Sequence, residues 1–453
     1  MIYIIKKPNI GHPAGVPGPV VLDMHNISRP TLPLRWWVFC ACINLFIVSI
    51  LGVLLRYKGI FGLPALDYNY LLHAHSHFAF SGWVTTALFV GLLYILDDSG
   101  ARLSRIYRYQ FWLNQVSSFG MLVSFMLQGY APVSIVFSSL SVVFSYWFAW
   151  CYWRDGRSVL PTVVRRAIGF ALFYLVLSSL GPYLLAYSMS HRLGDRAFYY
   201  NAIYLYLHFQ YNGWFTFGVI ALFLWWASRE GGWREAGGRG LAGIGSLSKT
   251  FVALLGLACI PAYCLSLLWT GPPQWIRITA VIAALLQLAA GFFLLRLFVR
   301  NRRKWSASLP PAVKIIWGLA AAAFGIKLVL QTLSVMPALG RLAFGHRSVI
   351  IAYLHLVLLG FVTLVLLGFF TTRNLVTLHP RAVSTGMAVF VSGVLLNELV
   401  LLLQSLLQIS AVVWAGAGYW LFGAAVVMCT GLLLLTAGLV QHALVRDGNQ
   451  PTH

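Results

Sequence analysis

The sequence predicts an all-α polytopic membrane protein with twelve transmembrane helices in three pseudo-repeated four-helix arcs. Composition gives the first part of that prediction: of 453 residues, 60% are hydrophobic and only 9% are charged. A soluble domain carries about 25% charged residues, and a chain of this size with so few could not cover a water-facing surface. A soluble enzyme and a disordered chain are thereby excluded. The net charge of +22 would point to nucleic acid in a polar protein. Here the bases sit in short loops between apolar runs, so a lipid bilayer and no nucleic acid is the expected partner.

The second observation is the recurrence of apolar runs of about 20 residues, the length that crosses a bilayer core of roughly 30 Å. They fall at about 36–55, 71–96, 108–130, 132–153, 166–188, 200–227, 250–271, 276–299, 312–336, 348–371, 384–407 and 411–440, numbered here as spans 1 to 12. Each must be helical, because lipid cannot satisfy open backbone groups. Residues 1–33, with their "GHPAGVPGPV", read as a cytoplasmic extension rather than a cleaved signal peptide. Residues 34–445 form one transmembrane domain and 446–453 a cytoplasmic tail. Alternate loops carry 24 Lys and Arg on the side holding both termini and 7 on the other, which predicts cytoplasmic termini.

The linker at about 228–249 contains Gly238, Gly240 and Gly243 in a GxGxxG pattern. No strand precedes it, so a cytoplasmic loop is expected, not a nucleotide site. Six cysteines lack CxxC spacing, which argues against zinc, c-type haem or a disulfide framework and suits small buried hydrophobes.

The third observation is an internal repeat. Span 2 reads "HAHSHFAFSGWVTTALF", span 6 "YLHFQYNGWFTFG" and span 10 "YLHLVLLGFVTLV". Aligned on Gly82, Gly213 and Gly360, the histidines His77, His208 and His355 all stand five residues before the glycine, and Trp83, Trp214 and Phe361 follow it. The glycines are 131 and 147 residues apart, and each interval holds four spans. The repeat units are therefore about 34–155, 163–299 and 310–441. All three histidine-bearing spans run in the same direction, which places the imidazoles at one level, ~10–13 Å into the membrane at 1.5 Å per residue. Intramembrane histidines are costly and usually functional. The competing reading is three hydrogen-bonded histidines between helices. The glycines serve equally for close helix packing or for room beside a cofactor.

This arrangement resembles the catalytic subunit of the haem-copper oxidase superfamily, which includes cytochrome c oxidase subunit I and the large subunit of respiratory nitric oxide reductases. The resemblance covers all twelve spans in topology and about forty residues in motif. "HFQYNGW" from His208 is similar to the family stretch whose histidine binds the non-haem metal. "YLHLVLLGFV" resembles the stretch whose second histidine, here His355, binds the low-spin haem. Span 2 supplies the other low-spin ligand in the family, which implies His77. The resemblance thus implies at least one low-spin b-type haem between His77 and His355, and a second haem or a non-haem copper or iron. It also implies a bacterial inner membrane, a quinol or separate protein as electron donor, and other membrane subunits.

The sequence departs from the family at four places, one being the absence of the family's paired basic residues between spans 11 and 12. Tyr353 stands for the first histidine of span 10, span 7 has no histidine pair, and Asn212 replaces a glutamate. Within "HAHSH", His73 and His77 share a helix face and His75 points nearly opposite, since two residues turn by 200°. His75 then serves as ligand to a high-spin haem or metal near His208, with His73 a further metal ligand. Tyr353 is a phenolate candidate or a plain hydrogen-bonding residue.

Lys327 and Glu398 lie deep in spans 9 and 11, where charge faces the bundle interior. They are candidates for a proton path, or simply find partners in Asn397, Gln331 or Gln404. Arg341, His346 and Arg347 lie just outside span 10, and Arg347 is the candidate partner for a haem propionate. The expected function is electron transfer, or reduction of oxygen or nitric oxide as an oxidoreductase. The alternatives are a catalytically silent haem-binding subunit or sensor, and a twelve-helix transporter without haem. Common carriers of that size repeat in halves, whereas this chain repeats in thirds.

Overall fold

A computed structural model of the protein describes residues 32–230 and 242–448. The remainder of the expected N-terminal extension, Gly238 and Gly240 of the linker, the Arg341 side chain and the tail from 449 lie outside the described residues. Among the described residues every regular element is a helix. The long ones are α1 (Leu34–Phe61), α2 (Tyr68–Asp98), α3 (Ile106–Gln128), α4 (Pro132–Gly156), α5 (Thr162–Ser190), α6 (196–230), α7 (242–270), α8 (Gln274–Ser308), α9 (Pro311–Leu333), α10 (Arg347–Thr372), α11 (Arg381–Ile409) and α12 (Ala417–Gly448), with a short helix, Pro337–Gly345, ahead of α10.

Ten of these are long and apolar enough to cross a membrane. The chain is a multi-pass protein of the lipid bilayer. The other two, α3 and α6, coincide with predicted spans but carry more polar side chains. In α3 the buried polar residues are Gln110, Asn114, Gln115, Ser117, Ser118 and Ser124.

Their purpose is visible in α2. This helix is not α-helical throughout: Ala79–Thr85 winds as a π segment. So do Phe209–Phe215 in α6 and Leu356–Thr363 in α10. Each begins one or two residues after His77, His208 or His355 and contains the aligned glycine. A π turn breaks the regular i→i−4 ladder, leaving carbonyls that must find other donors inside the protein. The Gly82 carbonyl accepts from Asn44 Nδ2 of α1 at 2.7 Å. The Ser81 carbonyl accepts from Thr86 Oγ1 at 3.1 Å and Asn114 Nδ2 at 3.4 Å. Gln115 completes the set by accepting from Asn44 at 3.0 Å and donating to Thr86 at 3.0 Å. Asn114 and Gln115, two of the polar residues of α3, thus cap the π segment beside it.

The same segments join the three helices. Trp83 Nε1, next to Gly82, donates to Thr363 Oγ1 of α10 at 2.8 Å, and Trp214 Nε1, next to Gly213, donates to Thr85 Oγ1 of α2 at 3.3 Å. Thr85 and Thr363 each stand three residues after their own glycine. Phe361 occupies the third aromatic position and has no N–H to donate.

Glycines also set the closest crossing, between α11 and α12. A side chain at Gly386 would run into the Gly431 carbonyl and the Leu435 backbone, and one at Gly431 into the Phe390 backbone. Small residues permit this approach. The six cysteines are free, with Cys42, Cys151 and Cys259 buried.

Replacing Asn44 by leucine removes the donor to Gly82 and leaves buried polar atoms unpaired, at roughly 1–3 kcal/mol per group. Thermal unfolding in detergent should occur several degrees below wild type. An unchanged midpoint would contradict the role assigned to the Asn44 contacts.

Candidate functional site

A cavity of about 490 Å³ lies between α1, α2, α10, α11 and α12, within the size range of cofactor sites. His75 of α2 and His355 of α10 both line it, among aliphatic walls such as Leu45, Val48, Leu359 and Leu432. Gly52 and Gly59 of α1 face it from positions two turns apart. A Cβ at Gly52 would sit 3.5 Å from the His75 ring, and one at Gly59 would meet open space. That helix face therefore presents no side chain to the cavity at either position.

The two imidazoles differ in their second nitrogen. His355 Nδ1 is 2.8 Å from the Ile351 carbonyl. A carbonyl only accepts, so Nδ1 carries the proton and Nε2 keeps the lone pair, which is the metal-ligating tautomer. His75 Nδ1 is buried and completes no hydrogen bond of normal geometry, while the Val48 carbonyl stands beside the ring.

At one end of the cavity are Arg56, Arg347 and Tyr68. Arg347 Nη2 donates to the Tyr68 hydroxyl at 3.1 Å, with its guanidinium 5.2 Å from the ring centroid. Arg56 and Arg347 are close enough to feel each other's charge. Among the described residues the ion pairs are Arg154–Asp155, Arg229–Asp98 and Arg373–Glu230, so neither guanidinium in the cavity has a carboxylate partner. Two unneutralised cations at the rim of an apolar cavity form a receptor for anionic groups.

His77 is elsewhere. Its ring stacks on Phe125 at 4.3 Å and its Nε2 lies 3.0 Å from the Tyr130 hydroxyl. His73 packs edge-on against the same tyrosine at 4.7 Å. The 200° step between alternate residues separates His75 from both. The family-based pairing of His77 with His355 therefore differs from the geometry, which brings His75 and His355 together. The placement of His75 near His208 differs too, because His75 faces α1 and α10.

His208 has both nitrogens engaged. Nε2 is 2.8 Å from the Cys259 carbonyl and so donates to it, and Nδ1 accepts from Asn212 Nδ2 at 3.1 Å. The chain continues from Asn212 Oδ1 to Gln331 Nε2 at 3.5 Å, and from Gln331 Oε1 to Lys327 Nζ at 2.8 Å. Lys327, a proton-path candidate, is thus one end of a buried polar chain from α9 to α7. No group of three His, Cys, Asp or Glu able to hold a metal occurs among the described residues, and the metal candidates His208 and His73 do not meet. The Tyr353 hydroxyl is buried without a partner, 5.9 Å ring to ring from Tyr211. Glu398 accepts from Asn397 at 3.1 Å; Asn397 lines the cavity, and Glu398 does not pair with Lys327.

Sequence reasoning missed Arg56, Tyr68 and the two α1 glycines. Gly52, Arg56 and Gly59 follow one another at helical spacing, a signal masked by reading Arg56 only as a base at a span end. No protein-family model and no curated protein matches the chain, so its functional reading rests on this geometry.

Proposed function

We propose that the chain is a membrane cytochrome, a divergent relative of the haem-copper oxidase catalytic subunit, that binds a b-type haem between His75 and His355 and passes electrons through it. The observation that carries this reading is the shared cavity: imidazoles from the first and third repeat units line one apolar space whose rim holds two uncompensated arginines. His75 and His355 would hold the haem iron between them, and a haem so held would supply one-electron transfer. His355 is oriented for ligation by the Ile351 carbonyl, and His75 lines the same cavity from α2. Arg56, Arg347 and Tyr68 bind the propionates, and the aliphatic walls exclude water from the ring.

Reduction of oxygen or nitric oxide requires a second ligand-binding site. In the region where the resemblance places it, His208 is committed to Asn212 and the Cys259 carbonyl. This favours an electron carrier over a terminal reductase. The same reading takes α3 and α6 as spans, giving twelve in three arcs of four. Three π segments at matched offsets and the Trp83–Thr363 and Trp214–Thr85 bonds support it. It also takes both termini as cytoplasmic, in a bacterial inner membrane, with Arg56 and Arg347 on the opposite, less basic side and electrons drawn from quinol or a partner protein.

Protein purified from haem-replete cells should show a Soret band and sharp reduced α-bands. His75→Ala and His355→Ala should each abolish the low-spin spectrum, whereas His77→Ala should keep it. A colourless wild type would favour the transporter reading, and loss of the spectrum in His77→Ala alone would restore the family pairing.

Removing positive charge beside the propionates favours the oxidised haem over the reduced one, because the oxidised iron carries one more positive charge. The Arg56→Gln and Arg347→Gln variants should therefore lower the midpoint potential, by on the order of 50 mV where a tenfold change in a one-electron equilibrium is 59 mV. Redox titration with an unchanged potential in both variants would place the propionates elsewhere.

A further inference from the structure

A second concavity, of about 960 Å³, shares no lining residue with the histidine cavity. It is an open groove between α4 and α5. Tyr146, Trp150 and Trp153 of α4 form one wall, and Phe170, Phe173 and Val176 of α5 the other. Gly169 forms part of the floor, where a Cβ would come within 3.3 Å of the Trp153 ring. At one end stand Thr162, Arg165 and Arg166.

Three features specify an occupant. The walls are aromatic and aliphatic, so the body of the ligand is apolar. The polar end is cationic: Arg165 gives one N–H to the Arg157 carbonyl at 2.8 Å, and neither Arg165 nor Arg166 is in an ion pair among the described residues. The head of the ligand is therefore anionic, and guanidinium forks suit phosphate oxygens in particular. The length also fits. The fourteen residue-to-residue steps from Thr162 to Val176 span ~21 Å at 1.5 Å per residue, which reaches from the headgroup level past the middle of a core roughly 30 Å thick.

We propose that this groove retains one anionic phospholipid, its phosphate held by Arg165 and Arg166 and an acyl chain laid along Trp150 and Phe173. Basic residues at a span end also set topology, but topology needs charge alone. A concave, aromatic-walled track leading away from the charge is what a bound lipid adds.

Native mass spectrometry of the full chain, released from micelles supplied with equal phosphatidylglycerol and phosphatidylethanolamine, tests this. Wild type should retain a single phosphatidylglycerol in clear preference. The double variant Arg165→Gln/Arg166→Gln should lower that adduct at least tenfold. Gly169→Leu, which fills the floor without touching charge, should do the same while circular dichroism shows the helix content of wild type. Equal retention of both lipids, no retained lipid, or wild-type retention in both folded variants would overturn the proposal. If either variant loses helix content, the wild-type preference between the two lipids decides alone.

Discussion

The structure depends on how three helices are locked together at the centre of the bundle. Each of α2, α6 and α10 leaves α geometry just after a histidine, and the indole of one π segment reaches the hydroxyl of the next. An open carbonyl inside a membrane protein costs several kcal/mol if left without a donor. The π segment of α2 is therefore tenable only because Asn44, Asn114 and Thr86 supply those donors. Once these bonds form, neither helix can rotate or slide without breaking them. Trp83 and Thr363 themselves line the cavity, so the lock that joins α2 to α10 also fixes the height and facing of His75 and His355.

The cavity then follows from what each neighbouring helix leaves out. α1 presents Gly52 and Gly59, and the close crossing of α11 and α12, made possible by Gly386 and Gly431, brings Asn397, Leu421 and Leu432 to the far wall. Charge is segregated to one end. Arg56 and Arg347 sit together without a carboxylate, an arrangement that an empty apolar hole would gain nothing from and that an anionic edge would stabilise. In the proposed cytochrome, burial and these two cations are the groups that set the potential. The Lys327–Gln331–Asn212–His208 chain contributes no lining residue to the cavity and forms a separate buried polar system.

Much of this architecture is legible in the sequence, because apolar length and the positions of Gly82, Gly213 and Gly360 are properties that lipid and close packing impose directly. The helical stretches coincide with the predicted spans, including α6 and α3, whose Asn114 and Gln115 serve the π segment of α2. The π segments themselves are invisible, since a single extra residue in a turn leaves no periodic trace in an already apolar run. The choice between His75 and His77 is illegible for a related reason. In the stretch Tyr68–Phe78 only Leu71, Ala74 and Phe78 are buried, and His75 and His77 are both half-buried, so burial does not mark which of the two looks toward the cavity. Resemblance favoured His77 by its distance from Gly82, whereas the helical turn sends that ring to Phe125 and Tyr130. Arg56 was hidden because an arginine at a span end is ordinarily a topological signal.

The central claim is that two imidazoles, one from each end of the chain's repeat, share one iron. Near-infrared magnetic circular dichroism of the oxidised wild-type protein, with the haem content of the same sample, reports axial ligands directly. The account predicts one low-spin haem per chain with the charge-transfer band of bis-imidazole ligation. A high-spin haem, or a low-spin haem with a single imidazole, would contradict it.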